Sequence, residues 1–188
     1  MMEERLLARY CRQGRQDAGR ELYERYVGRL LAICLRYLGK MTQAEDAVHN
    51  VFLKAFDSIG RFVYTGEGSL GRWLGKIAVN ESLQFLRQKK RLVSGLDCGP
   101  EPPDDVGDDP PDDCEVVKIP PEELMRMITE LPDRHRTVFN LHCLDGYSHR
   151  EVARMLGIKE NTSASRYKTA RALLAEEVKK YLASNGKE

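Results

Sequence analysis

No apolar run in this 188-residue chain approaches the roughly 18 residues that a membrane-spanning helix needs. The charged opening "MMEERLLARY" has no signal-peptide core. The chain is therefore expected in the cytosol. Cysteine is scarce: Cys11, Cys34, Cys98, Cys114 and Cys143 are odd in number, scattered, and without a C-x-x-C pair. That excludes a disulfide framework and fits a reducing compartment. The four histidines are scattered too. His135 and His142 are helically spaced, but with Cys143 they form no recognised ligand set, so no metal and no cofactor are expected. There is no phosphate loop, no His–Ser or His–Cys pairing on loops, and no clustering of carboxylates outside one segment. A catalytic role is not supported. No internal repeat and no strand-like alternation occurs, which leaves an all-α fold.

Charge is plentiful, and its distribution is the most informative feature present. The net charge of +1 conceals a basic stretch over 1–91 (+7), an acidic one over 92–117 (−9) and a second basic one over 118–188 (+3). The acidic segment "LVSGLDCGPEPPDDVGDDPPDDCEVV" holds five prolines, three glycines, nine acids and no Lys or Arg. Its punctuation and self-repulsion prevent a regular element. A tether of this length reaches roughly 90 Å when stretched and about 30 Å as a relaxed coil. The expected organisation is two small helical domains, 1–91 and 120–188, joined by a flexible acidic linker over 92–119.

In the first domain, helices are expected over about 3–12, 17–38, 43–58 and 69–91. Leu22, Tyr26, Val27, Leu30, Ile33, Cys34, Tyr37 and Leu38 form an apolar stripe that Gly39 ends. Thr42 with Glu45 predicts a capping box, and Ser69 opens the last helix after "RFVYTGEG". In the helix at 43–58, Val48, Val51, Phe52 and Ala55 are core. Asp46, Asn50, Leu53 and Asp57 recur on another face, and a leucine among polar groups there suggests a protein contact.

The helix at 69–91 carries Leu70, Trp73, Leu74, Ile77, Ala78 and Phe85 on its apolar face. Glu81 falls near the middle of that face and requires a hydrogen-bond partner. Arg72, Lys76, Asn80, Leu83, Arg87 and Lys90 follow one another on a second face with four cations and no acid. A solvated surface usually mixes signs, so this stripe is better suited to a polyanion.

In the second domain Pro121 and Pro132 suit the first turns of two helices. Ser148 with Glu151 predicts a capping box for a short helix that stops at Gly157. Val152, Ala153, Leu156, Gly157 and Ile158 have helix-turn-helix spacing. In the following helix, expected over about 161–174, only Tyr167, Ala170 and Leu174 face inward. Thr162, Ser165, Arg166, Lys168, Thr169 and Arg171 are left to hydrogen-bond phosphates and base edges in a major groove.

Three segments taken in order resemble bacterial RNA polymerase sigma factors of the extracytoplasmic-function (ECF) group. They are "QAEDAVHNVFLKAF", "EGSLGRWLGKIAVNESLQFLR" and "LPDRHRTVFNLHCLDGYSHREVARMLGIKENTSASRYKTAR". The resemblance covers roughly residues 8–91 and 120–178. It implies a transcription initiation factor whose first domain, region 2, docks on the core polymerase through Asp46, Asn50 and Leu53, against the coiled coil of the β′ subunit. It implies that Tyr64, Ser69 and Asn80, with the basic row Arg72, Lys76, Arg87 and Lys90, engage the −10 promoter element and capture an unstacked base. It further implies that region 4 rests on the β flap and reads the −35 element through Thr162, Ser163, Ser165, Arg166, Lys168, Thr169 and Arg171. The family's linker runs toward the RNA exit channel, where Asp104, Asp105, Asp108, Asp109, Asp112 and Asp113 would imitate nucleic-acid charge. An anti-sigma partner, acting without membrane insertion of this chain, is implied as well.

Two other readings fit less of the sequence. A stand-alone helix-turn-helix regulator leaves Asp46, Asn50 and Leu53 and the first basic face unused. A helical adaptor makes both basic surfaces incidental.

Overall fold

A computed structural model describes residues 2–93 and 119–185, without the side chains of 90–93 and 185. The described residues are helical and contain no strand. Their helices fall into two compact units, one within Met1–Asp97 and one within Cys98–Glu188. The acidic stretch singled out above lies, from residue 94 to 118, outside the described residues.

The first unit is built from α1 (Glu4–Arg12), α2 (Gln16–Leu38), α3 (Met41–Ser58) and α4 (Ser69–Val93), with a short 3-10 turn at Ile59–Arg61. Leu22, Tyr26, Leu30, Cys34 and Tyr37 bury one side of α2, and α3 adds Ala44, Ala47, Val48, Val51, Phe52 and Ala55. Two glycines let α2 and α4 approach closely. A Cβ at Gly71 would lie 3.1 Å from the Tyr26 ring and 3.0 Å from the Arg29 guanidinium, and one at Gly75 would meet Ile33 at 3.6 Å. Gly39 ends α2 in the left-handed conformation (φ 72°), its N–H donating to the Leu35 carbonyl at 2.8 Å.

The expected Thr42–Glu45 capping box does not form. The Ala44 N–H bonds to the Lys40 carbonyl at 3.0 Å, so α3 begins before Thr42, which lies inside the first turn. Leu83, placed by its spacing on the basic face of α4, is buried to 3% exposure. Both α2 and α3 pack on α4, and its covered arc is wider than one stripe.

The second unit contains α5 (Pro121–Glu130), α6 (Asp133–Phe139) with a π turn at Asn140–Leu144, α7 (His149–Leu156) and α8 (Glu160–Asn185). Ile119, Met127, Ile128, Leu131, Phe139, Ala170, Leu174 and Val178 form its core. Arg136 is buried at the α5–α6 junction, where its guanidinium donates to the carbonyls of Thr129 (2.6 Å) and Leu131 (2.8 Å) and to Asp133 (2.5 Å). Those bonds satisfy carbonyls that the end of α5 leaves open. The last helix runs well beyond the expected end at 174, because Ala175 and Val178 continue its buried face.

Candidate nucleic-acid interface

On α3, Asp46, Asn50, Leu53 and Asp57 all face solvent, with Leu53 51% exposed. Phe56 and Tyr23 are also exposed close by. Tyr23 packs on Phe52 at 4.8 Å between ring centroids, and Phe56 lies against Gly19 of α2. These aromatics widen the apolar part of the surface beyond the single leucine that helical spacing picked out. Spacing within α3 alone carries no signal for a contribution from α2.

Lys54, next to Leu53, pairs with Glu81 and donates to the side-chain Oε1 of Gln84 at 3.1 Å. Glu81 is thus the buried carboxylate whose partner the sequence left open. The pair ties the helix bearing Asp46, Asn50 and Leu53 to the helix bearing the basic row.

On α4, Arg72, Lys76, Asn80 and Arg87 are solvent-facing, while the side chain of Lys90 lies outside the described residues. The loop before α4 is held from below by α1. The buried carboxylate of Glu4 accepts the N–H groups of Gly68 (2.6 Å) and Leu70, capping a helix start that has unsatisfied donors. Arg12 reinforces this by donating to the Ile59 carbonyl at 3.0 Å and to that of Phe62. Tyr64 is half-buried in the loop. Ser69, expected to meet a base, is instead 5% exposed and accepts the Thr65 N–H at 3.4 Å. Its position at the helix start turns it into the loop, where it organises backbone. Trp73 is half-buried and packs on Phe62 at 5.3 Å.

The second unit contains the helix-turn-helix. Ser148 caps α7 through the Glu151 N–H at 3.3 Å, and the Glu151 carboxylate accepts the Ser148 N–H at 2.9 Å, completing the capping box. Gly157 then takes the left-handed conformation (φ 68°) and donates to the Ala153 carbonyl, as does Ile158 at 3.0 Å. From α8, Lys168 and Arg171 are exposed, and Thr162, Ser165 and Arg166 are partly so.

Two members of the expected contact set face the wrong way. Ser163 and Thr169 are completely buried. Both α6 and α7 pack on α8, so its covered arc reaches beyond the Tyr167–Ala170–Leu174 stripe. Thr169 turns its hydroxyl back onto the Ser165 carbonyl at 3.2 Å. Ser163 meets the Nδ1 atom of His149 at 3.0 Å.

That contact belongs to a cluster the sequence did not announce. The rings of His142 and His149 stack at 3.9 Å and 19°, with Tyr167 edge-on to His142 at 4.6 Å. Partial burial and the neighbouring His142 hold His149 below the ordinary histidine value of 6.5. Burial and a hydrogen bond with Cys143 raise the Tyr167 hydroxyl. Among the described residues no group of His, Cys, Asp and Glu is arranged to hold a metal ion.

Comparison with known families decides what these surfaces belong to. The sigma-70 region 2 family model matches residues 22–92, and the sigma-70 region 4 model matches residues 121–174. Together they take in more than half of the chain, in family order. The ECF sigma factor SigW of Bacillus subtilis is 27% identical over 175 residues, covering 89% of this chain and 92% of that protein. The ECF sigma-E factor of Haemophilus influenzae is 27% identical over 184 residues, covering 94% and 96%.

The chain belongs to the ECF sigma factors.

It is a promoter-directing transcription initiation factor, which sets aside the stand-alone regulator. The fold agrees with that of the sigma factor RpoE of Bartonella quintana, solved with the anti-sigma factor NepR, at a TM-score of 0.50 and 22% identity over 86% of this chain and 96% of that one. Among the described residues, no helix of this sigma factor is long and apolar enough to cross a membrane.

Proposed function

We propose that this sigma factor acts through three surfaces on two domains, 1–91 and 120–188, with 92–119 as the tether between them. Asp46, Asn50 and Leu53 of α3 dock on the β′ coiled coil of core RNA polymerase. The α4 row of Arg72, Lys76, Asn80, Arg87 and Lys90, with Tyr64 from the preceding loop, binds and opens the −10 element. The α8 residues Thr162, Ser165, Arg166, Lys168 and Arg171 read the −35 element while the second domain rests on the β flap. Each step is binding, not bond chemistry, and takes place in the cytoplasm, where polymerase and promoter are.

One observation carries the reading. A single compact unit presents two solvent-facing rows of different chemistry on adjacent helices, a polar row with an exposed leucine on α3 and a basic row on α4. DNA recognition through α8 needs neither, whereas a factor that must hold polymerase and DNA together needs both. The relative solved with an anti-sigma protein supports an anti-sigma partner here too, one that occludes these same surfaces.

Purified chain added to sigma-free core polymerase should yield promoter-dependent transcripts. Asp46→Ala/Leu53→Ala should abolish core binding yet leave folding intact. Arg166→Ala/Lys168→Ala should keep core binding and lose transcription from promoters that depend on a −35 element. Absence of any transcript with wild-type protein and active core would overturn the proposal.

A further inference from the structure

The imidazole pair of the second unit has no part in the surfaces assigned above, yet it sits where the DNA-facing row is held. His142 belongs to the π turn, and its Nδ1 is 2.7 Å from the Tyr147 carbonyl oxygen. A carbonyl only accepts, so that nitrogen carries the hydrogen. His149 is the first residue of α7, and its Nδ1 reaches the buried hydroxyl of Ser163 on α8. Tyr167, one turn beyond Ser163, closes the cluster at 4.6 Å from His142 and 5.7 Å from His149. Three elements are therefore joined through two rings. Ser163 and Tyr167 are interleaved in sequence with Thr162, Ser165 and Arg166.

We propose that the His142–His149 stack is a positioning device for α8, fixing the row Thr162, Ser165 and Arg166 while the His149 ring is neutral and releasing it when that ring is protonated. Recognition of duplex DNA through α8 then weakens as the surroundings acidify. This rests on the assignment of α8 to duplex recognition.

The charges around the pair set the direction. Two imidazolium rings at 3.9 Å would be like charges in contact. His149 occupies the N-terminal turn of α7, where the helix dipole disfavours a cation. Arg171 lies over the Tyr167 ring at 6.0 Å and adds positive charge from α8. Tyr167 shares a hydrogen bond with Cys143, and burial with that neighbour holds its hydroxyl above the ordinary tyrosine value. Glu160 of α8 is the acid that favours a charged His149, and burial together with His142 outweighs it. Because folding depresses the proton affinity of His149, the unfolded chain takes up the proton first. The stability the neutral ring contributes is present above pH 6.5 and is lost as pH falls below that value toward the folded midpoint.

The test uses the full chain. By NMR, the His149 imidazole should titrate below 6.5, and His142→Gln should raise its midpoint. Amide protection over residues 160–171 should fall from pH about 7.5 to about 5.5 in wild type and stay level in His149→Gln, which cannot titrate. Holoenzyme binding to a duplex that it has itself selected from a random pool should weaken about tenfold across the same interval, and less so in His149→Gln. An unmoved His149 midpoint in His142→Gln, or the same protection profile in His149→Gln as in wild type, overturns the device. If Arg166→Ala leaves duplex binding unchanged, the α8 assignment fails, while titration and exchange still decide the stack. If Arg166→Ala weakens binding but wild type shows no pH profile, the device fails and the assignment stands.

Discussion

The Glu4 carboxylate accepts the backbone N–H of Gly68 at 2.6 Å, joining the first helix to the loop before α4 across 64 residues of sequence. The same carboxylate takes the Leu70 N–H, so two donors at one helix start depend on a single buried side chain. Glu4→Ala leaves both in a site that water enters poorly. The expected cost is about 1–3 kcal/mol of first-unit stability. Urea unfolding followed through Trp73 reads this, since the chain holds one tryptophan and it packs on Phe62 within this unit. Glu4→Gln retains one acceptor oxygen and should recover part of the loss.

Lys54 and Glu81 pose a different question, because one partner is half exposed and the other is not. The Lys54 side chain is 49% exposed and that of Glu81 10%. Lys54→Ala strands a carboxylate in a nearly dry site and should cost about 1–2 kcal/mol, the pair itself being worth less because solvent screens the ammonium. Lys54→Ala/Glu81→Leu should be more stable than Lys54→Ala alone, since an apolar side chain replaces the stranded charge. A double-mutant cycle in urea tests the ordering. If the single and double variants lose the same stability, the partner of Glu81 has been misread.

The cysteines give a prediction that needs no partner. Cys143 is exposed, whereas Cys11 and Cys34 are buried. Burial pushes the Cys34 thiol up to about 11, and burial with the nearby Asp17 raises that of Cys11. Because the thiolate is the reactive form and access is needed to reach it, iodoacetamide should label the exposed Cys143 well before either at neutral pH. Cys11 and Cys34 should become reactive only as the first unit unfolds. Peptide mapping against urea concentration follows all three.

Where sequence and structure agree, the signal was local. Gly39, the Ser148–Glu151 pair and Gly157 mark helix ends through backbone chemistry confined to one turn, and all three do so here. The exposed rows on α3 and α4 were legible, apart from Leu83, because helical period separates them from core positions. What escaped notice depends on distant neighbours. Glu4 reads as a surface acid until Gly68 is brought to it, and Lys54 as a surface cation until Glu81 arrives from 27 residues away. Thr42 and Glu45 have the right spacing, but the backbone commits to helix at Lys40. Ser163 and Thr169 look like contact residues because their chemistry suits DNA, and only packing from both sides of α8 reveals them as covered.

That last correction gives the sharpest contrast available on α8. Ser163 is fully buried while its neighbour Ala164 is exposed. Adding the same charge at each position should therefore have opposite consequences. Ser163→Arg forces a guanidinium into the fully buried space beside His149 and should unfold the second unit, because a charge there is taken out of water. Ala164→Arg places the charge in solvent beside Ser165 and Arg166. The protein should stay folded and bind duplex more tightly, with about one further ion released in the salt dependence. Thermal unfolding monitored by circular dichroism reads the first outcome, and binding titrated against salt reads the second. If Ser163→Arg remained folded with undiminished affinity, the burial of this side of α8, and with it the division of the helix into a packed face and a DNA face, would be wrong.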